Sequence, residues 1–317
     1  MDRNEIIKNL GLAVDFTANY YENIENYPVK SNVKPKEIIN SLAQYPPRIG
    51  EEIEEILQDV DKFLMKGITH WQSPNFYAYF PSNNSLPSMV AEMVSSAIGA
   101  QCMVWETSPA AAELEELVMN WLRDMIGLPK EFCGVIQDTA STATLTALLT
   151  AREKYTNWDI NENGFPHNRF RIYCSSEAHS SIDKAVRIAG FGYNNLVKIK
   201  TDSSFAMNVD DLIANIESDI AAGMTPLAVV CAIGTTGSTA IDPLAKIATV
   251  CDKFDLWLHV DAALAGTALV LPEMRYMIEG VQRADSFVFN PHKWMFTNFD
   301  CSAYFVRDKD TLIKDRK

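Results

Sequence analysis

The residue with the clearest chemical potential is a lysine placed where an apolar strand pattern stops. In Ser286-Phe287-Val288-Phe289-Asn290-Pro291-His292-Lys293-Trp294 the alternating, half-buried pattern of residues 285–290 is ended by a proline, which delivers Lys293 at a strand end beside His292 and Trp294. Desolvation there would lower the lysine pKa and make its amine a usable nucleophile, whereas the same residue in water is an ordinary surface charge. Asp261 also closes an apolar strand pattern, Leu256-Trp257-Leu258-His259-Val260, and is followed by the small residues Ala262, Ala263, Ala265 and Gly266. Leaving a carboxylate charged and alone in such a place costs on the order of several kcal/mol. It must cap a helix, enter a structural ion pair or serve as counter-ion to a protonated heterocycle.

Thr139-Ala140-Ser141-Thr142 lies between a strand and a helix, so its hydroxyls and first-turn N–H groups either cap the helix or receive a phosphate. His179, just before Ser180-Ser181, is a cap or surface histidine, or a flat ring that stacks on an aromatic ligand. Gly234-Thr235-Thr236-Gly237-Ser238-Thr239 is a further polar strand-end loop, and none of these segments carries the dinucleotide-binding glycine fingerprint or a P-loop. Together the amine, the recessed acid, the phosphate-type helix start and the histidine match the needs of one cofactor, pyridoxal 5′-phosphate. It requires a covalent amine, a pyridinium partner, a phosphate cup and a ring cover.

The elements that must position these groups are legible in outline. The chain has 317 residues, 47% hydrophobic and 22% charged, enough to bury a large core. Residues 1–85 read as a helical arm: two helical patterns, joined by Tyr27-Pro28 and the turn-rich 45–50, precede an aromatic segment. The second pattern, residues 51–65, sets Ile53, Ile56, Leu57, Val60 and Leu64 at helical spacing, a stripe suited to packing on another surface such as a second subunit. From about residue 88 helix and strand alternate, with helices expected at 113–126 and 145–154 and strands at 134–137, 171–174, 196–199, 227–232 and 257–260. That alternation implies a parallel-rich sheet covered on both faces, with ligands bound beyond the C-terminal strand ends. Residues 157–168, rich in asparagine with Gly164 and Pro166, are the expected mobile surface loop.

Composition excludes several classes of partner. A formal net charge of −13 repels nucleic acid and acidic membrane surfaces. The six cysteines form no metal-type spacing and read as small hydrophobes. The polar start Met1-Asp2-Arg3-Asn4-Glu5 lacks a signal-peptide layout and the apolar runs are too short to span a bilayer, so the cytoplasm is the expected compartment.

The segments His179-Ser180-Ser181, His259-Val260-Asp261-Ala262-Ala263, Asn290-Pro291-His292-Lys293-Trp294 and Asn298-Phe299-Asp300-Cys301-Ser302 closely resemble the group II pyridoxal-phosphate decarboxylases, the group that contains aromatic-L-amino-acid decarboxylase. The resemblance runs from about Tyr20 to the end of the chain. It implies fold type I, a mostly parallel seven-stranded sheet between helices in a cofactor domain over 86–317, and a homodimer. By the same resemblance Lys293 holds the cofactor covalently, Asp261 partners the pyridine nitrogen, and His179 stacks on the ring and assists protonation. Ala140, Ser141, Asn290 and His292 are implied on the phosphate side, with Thr236 and Ala263 near the ring. Trp71, Tyr79, Phe80, Pro81 and Met103 match substrate-pocket positions of the aromatic branch, so tryptophan, tyrosine, phenylalanine or dopa is the implied substrate.

Glutamate or histidine decarboxylation, aldehyde formation, and an inactive paralogue that merely dimerises are the alternatives. Several positions depart from the family pattern. Asp138 stands in place of glycine and Thr142 in place of glutamate, and a carboxylate near a phosphate weakens its binding unless it points away. Gln101, Cys102 and Met103 differ from the usual apolar and phenylalanine residues. The family also continues past the lysine with a catalytic loop, expected to supply a tyrosine, and a small C-terminal domain, which this sequence does not include.

Overall fold

Short strands of apolar and β-branched residues, separated by helices, build one seven-stranded sheet among the described residues of this computed structural model, which describes residues 2–165 and 169–314. The strands are β1 (Cys133–Gln137), β2 (Phe170–Ser175), β3 (Leu196–Ile199), β4 (Thr225–Ala232), β5 (Trp257–Asp261), β6 (Ser286–Phe289) and β7 (Ser302–Val306), in the spatial order β1-β7-β6-β5-β4-β2-β3. From β3 across to β6 every pairing is parallel. β7 runs antiparallel to both β6 and β1. The chain divides into two compact units between Pro81 and Ser82, and the sheet belongs to the second.

The smaller unit holds helices α1 (Arg3–Glu22), α2 (Glu37–Ser41) and α3 (Ile53–Asp59), the last continuing as a π-helical turn over Val60–Leu64. His70 is buried within it and organises its rings. Its Nε2 lies 3.1 Å from the Met65 carbonyl, which can only accept, so Nε2 carries the hydrogen and Nδ1 accepts from the Tyr20 hydroxyl at 3.1 Å. Tyr27 stacks on the same imidazole, with centroids 4.7 Å apart.

In the larger unit α4 (Leu86–Ile98), α5 (Pro109–Met125), α6 (Ala140–Tyr155), α7 (Asp159–Asn163), α8 (Ser181–Ile188), α9 (Val209–Ala221), α10 (Leu244–Phe254), α11 (Pro291–Trp294) and α12 (Lys309–Lys314) surround the sheet. One face packs on α9 and α10 through Leu212, Ile216, Leu244 and Ile247. The other packs on α6 and α8 through Ala143, Ala147, Ile182 and Val186. Side chains alternate along each strand, so Leu258 and Val260 of β5 enter the first core while Trp257 enters the second, carrying His259 and Asp261 to the α6 face with it.

Three expectations from sequence need correction. The strand before Lys293 is not half-buried: all four residues of β6 are buried, because both faces of the sheet are covered there, Phe287 and Phe289 entering one core and Val288 the other, while β7 pairs along its second edge. The helix expected at 145–154 starts earlier, at Ala140, since Thr139 caps it by accepting from Thr142 N at 3.4 Å. The expected loop over 157–168 contains the short helix α7, packed through the buried Ile160, while residues 166–168 lie outside the described residues. No helix among the described residues is long and apolar enough to cross a membrane.

The loop that follows β4 is anchored by a buried acid. Asp242 takes the Met207 N–H on Oδ1 at 2.7 Å and the Ala232 N–H on Oδ2 at 2.8 Å, and burial raises its pKa to about 6 despite those two bonds. The folded chain therefore binds this proton more tightly than the unfolded chain does. As pH falls from about 6 towards the ordinary value of 3.8, the cost of the buried charge is relieved and this group's contribution to stability rises. Asp242→Ala strands two buried amides and should cost about 2–4 kcal/mol in urea unfolding. The wild-type advantage over the variant should widen as pH falls through that window, and an advantage that shrinks there would contradict the assignment.

Candidate active site

The C-terminal ends of β4, β5 and β6 and the start of α6 bring polar residues to one edge of the sheet. Asp261 ends β5, and its Oδ1 accepts from the Ala263 N–H at 3.1 Å. The Ala263 carbonyl in turn accepts from Asn290 N at 3.0 Å, and the Asn290 carbonyl accepts from Lys293 N at 3.0 Å. Counter-ion residue, turn residue and lysine are thus joined by a continuous run of backbone and side-chain bonds.

Electrostatics follow from this placement. Burial is the main cause that lowers the Lys293 pKa below the ordinary lysine range, with Asp261 opposing it. Burial likewise raises Asp261, opposed by the Ala263 hydrogen bond and by the charges of Lys293 and His179. His179 is lowered, first by desolvation in the turn after β2, with Asp261 pulling it up and Lys293 pushing it down. Its Nδ1 lies 2.9 Å from the Ser181 hydroxyl and accepts the Ser181 N–H at 3.2 Å, which leaves Nε2 as the protonated nitrogen of the neutral ring. Asp261 acts on both of the other groups and Lys293 acts on His179, so the lysine, acid and histidine proposed from sequence do come together.

The anion-facing side is equally defined. Ala140 and Ser141 occupy the first turn of α6, where amide N–H groups lack acceptors within the helix. Asn290 is buried, and its Oδ1 accepts from the Ser302 hydroxyl at 2.7 Å. His292 Nδ1 accepts the Cys301 N–H at 2.9 Å, so the neutral ring carries its hydrogen on Nε2 as a donor. Burial and the neighbouring Lys293 charge push the His292 pKa down to about 4, which keeps it in that form at neutral pH. Thr236 is exposed in the loop after β4, and that loop meets the one carrying His179, where the Glu177 carboxylate approaches Gly237.

The residues expected on the substrate side are divided between the two units. Met103 lies between α4 and α5 and is 76% exposed, with no hydrogen bond or ring contact to the cluster among the described residues. Trp71, Tyr79, Phe80 and Pro81 belong to the smaller unit, where Trp71 packs on Phe76 (4.6 Å) and stacks on Tyr79 (5.9 Å).

Sequence reasoning passed over a buried network beneath Asp261. Ser286 Oγ lies 3.0 Å from Trp257 Nε1 and 2.8 Å from His259 Nδ1, and His259 Nε2 lies 3.5 Å from Thr144 Oγ1. An indole N–H can only donate, so the serine hydrogen goes to His259 Nδ1 and His259 donates from Nε2 towards Thr144. Complete burial lowers the His259 pKa to about 3 and keeps it neutral. The network ties α6, β5 and β6, the three elements that carry the phosphate-type turn, the acid and the lysine. Its signal in the sequence was a polar residue inside each of three apolar stretches, because a buried polar group requires a partner. Ser286→Ala would leave the indole and the imidazole unpaired, so a loss of about 2–4 kcal/mol is expected in chemical denaturation; a loss below about 0.5 kcal/mol would refute the proposed bonding.

The arrangement suits pyridoxal 5′-phosphate in the chemistry of its donors: a desolvated amine, a recessed carboxylate, a helix N-terminus and neutral N–H donors. Comparison with known proteins agrees. Residues 35–317 match the pyridoxal-dependent decarboxylase conserved domain. The chain is 41% identical to a tyrosine decarboxylase of Papaver somniferum, over 99% of this chain and 63% of that protein. It is also 41% identical to a phenylacetaldehyde synthase of Arabidopsis thaliana, over 98% of this chain and 65% of the relative. The crystal structure of Oryza sativa TDC with PLP and tryptamine superposes with a TM-score of 0.96 at 35% identity, covering 100% of this chain and 66% of that one. The chain thus spans about 63% of the length of the Papaver relative.

Proposed function

This chain belongs to the pyridoxal-dependent decarboxylase family, and we propose that its protein removes the carboxyl group of an aromatic L-amino acid, releasing CO₂ and the amine. The observation that carries the reading is the convergence of Lys293, Asp261 and His179 at the edge formed by β5, β6 and the α6 start, where Asp261 acts on the charge of both other groups. Tryptophan, tyrosine, phenylalanine and dopa are the candidate substrates, in line with the decarboxylase relatives.

When bound, pyridoxal 5′-phosphate supplies a conjugated ring that accepts the electron pair left on the substrate carbon. Lys293 would hold the cofactor through Nζ, and burial lowers its pKa below the ordinary lysine range, which favours the neutral amine. Asp261 would partner the ring nitrogen and keep a proton there, and a cation opposite its carboxylate would offset the cost of its burial. His179 would cover the ring, with its Nε2–H as the available donor. The first-turn amides of Ala140 and Ser141, with Asn290 and His292, would hold the phosphate, with Thr236 and Ala263 near the ring.

The working unit is a homodimer. The 13-residue helix α4 has no buried residue and leaves Leu86, Val90, Met93, Val94 and Ile98 exposed, an apolar face suited to a second copy. A second reading, aldehyde formation, is favoured by the likeness to the phenylacetaldehyde synthase. Incubation with each aromatic amino acid, with amine and aldehyde quantified separately, decides between the two.

Adding pyridoxal 5′-phosphate to the purified protein should produce an absorbance band at the edge of the visible range that is missing in Lys293→Ala, and a band that survives the substitution would overturn the lysine assignment. Asp261→Asn should keep that band while kcat falls by roughly a hundredfold or more, as expected when one preorganised electrostatic group is lost. Near-normal turnover in this variant would remove Asp261 from the mechanism.

A further inference from the structure

The turn that would receive the cofactor's phosphate already contains an anion of its own. Asp138 sits directly before the α6 cap, and its carboxylate is folded onto the helix start: Oδ1 accepts the Thr139 N–H at 2.7 Å and lies against the Thr142 hydroxyl. The backbone beneath it is held as well. Ser302 Oγ reaches both the Asp138 carbonyl (3.4 Å) and Asn290 Oδ1 (2.7 Å), which places Asp138 beside a phosphate-side residue of the proposed site. The carboxylate therefore does not point away from the helix N-terminus but occupies its positive end, where an incoming phosphate would gain most. Among the described residues, those that bond to it or line the phosphate side carry no charge: Thr139, Ala140, Ser141, Thr142, Asn290 and Ser302 are uncharged, and His292 is neutral at pH 7.

We propose that Asp138 is a built-in competitor for the cofactor's phosphate, lowering affinity for the phosphorylated cofactor while leaving recognition of the bare pyridoxal ring unchanged. The inference rests on the cofactor reading above. In physical terms a fixed negative charge at the helix start repels a second, divalent one and cancels part of the helix dipole, whereas an uncharged hydroxymethyl group in the same place feels neither effect. The protein consequently exchanges its cofactor more readily than a chain with a neutral residue here, and its loading depends on cofactor supply.

The test compares two ligands across three proteins. Wild type, Asp138→Asn and Asp138→Gly, freed of cofactor, are titrated with pyridoxal 5′-phosphate and with pyridoxal, and dissociation constants are read from absorbance and protein fluorescence. Asparagine keeps the shape and removes the charge, and glycine removes the side chain, so a folding defect confined to one variant leaves the other readable. Both substitutions should tighten pyridoxal 5′-phosphate by about tenfold at low ionic strength, leave pyridoxal within about twofold, and lose most of the difference in high salt. Equal shifts for both ligands, no shift, or weaker phosphate-dependent binding in Asp138→Asn would each overturn the proposal. Wild-type protein that binds neither ligand would overturn the cofactor reading, and the inference with it. Binding of both ligands with no effect of Asp138 overturns the inference alone.

Discussion

Full burial of β6 is the constraint on which the arrangement depends. With β5 parallel on one side and β7 antiparallel on the other, Ser286–Phe289 can expose no polar group, so the first residues able to meet a ligand are those after the strand ends. Asn290, His292 and Lys293 follow immediately, in a turn whose proline stops the ladder. Ser286, the one polar residue inside the strand, is tolerated because Trp257 and His259 satisfy it.

The site built on that strand is a balance of opposed charges in a place short of water. Lys293 and Asp261 each pay for desolvation, and each eases the other through space. The same logic runs in reverse at the α6 start, where Asp138 meets helix amides instead of a cation.

How much of this was legible in the sequence varied from residue to residue. Lys293, Asp261 and His179 could be found because each interrupts or ends an apolar run, and short-range pattern reveals such breaks. The capping role of Thr139 was legible as a hydroxyl before a helix, though the helix was expected to begin later. Ser302 gave no functional signal, since its partner Asn290 is distant in the chain and meets it only through the sheet. The direction taken by the Asp138 carboxylate was undecided for a related reason: a side chain in a turn can face either way until neighbouring backbone fixes it.

By itself the sequence determined the class of fold, the order of helices and strands, and the identity of the groups able to hold a cofactor, because periodicity and residue chemistry are local properties. The tertiary structure alone decided that β7 returns antiparallel beside β6, that His259 and His292 are neutral with defined tautomers, and that Asp138 lies on the helix start. Those outcomes depend on which distant groups share a low-dielectric space, and hydrogen-bond direction and charge state are set there by neighbours that the order of residues does not reveal.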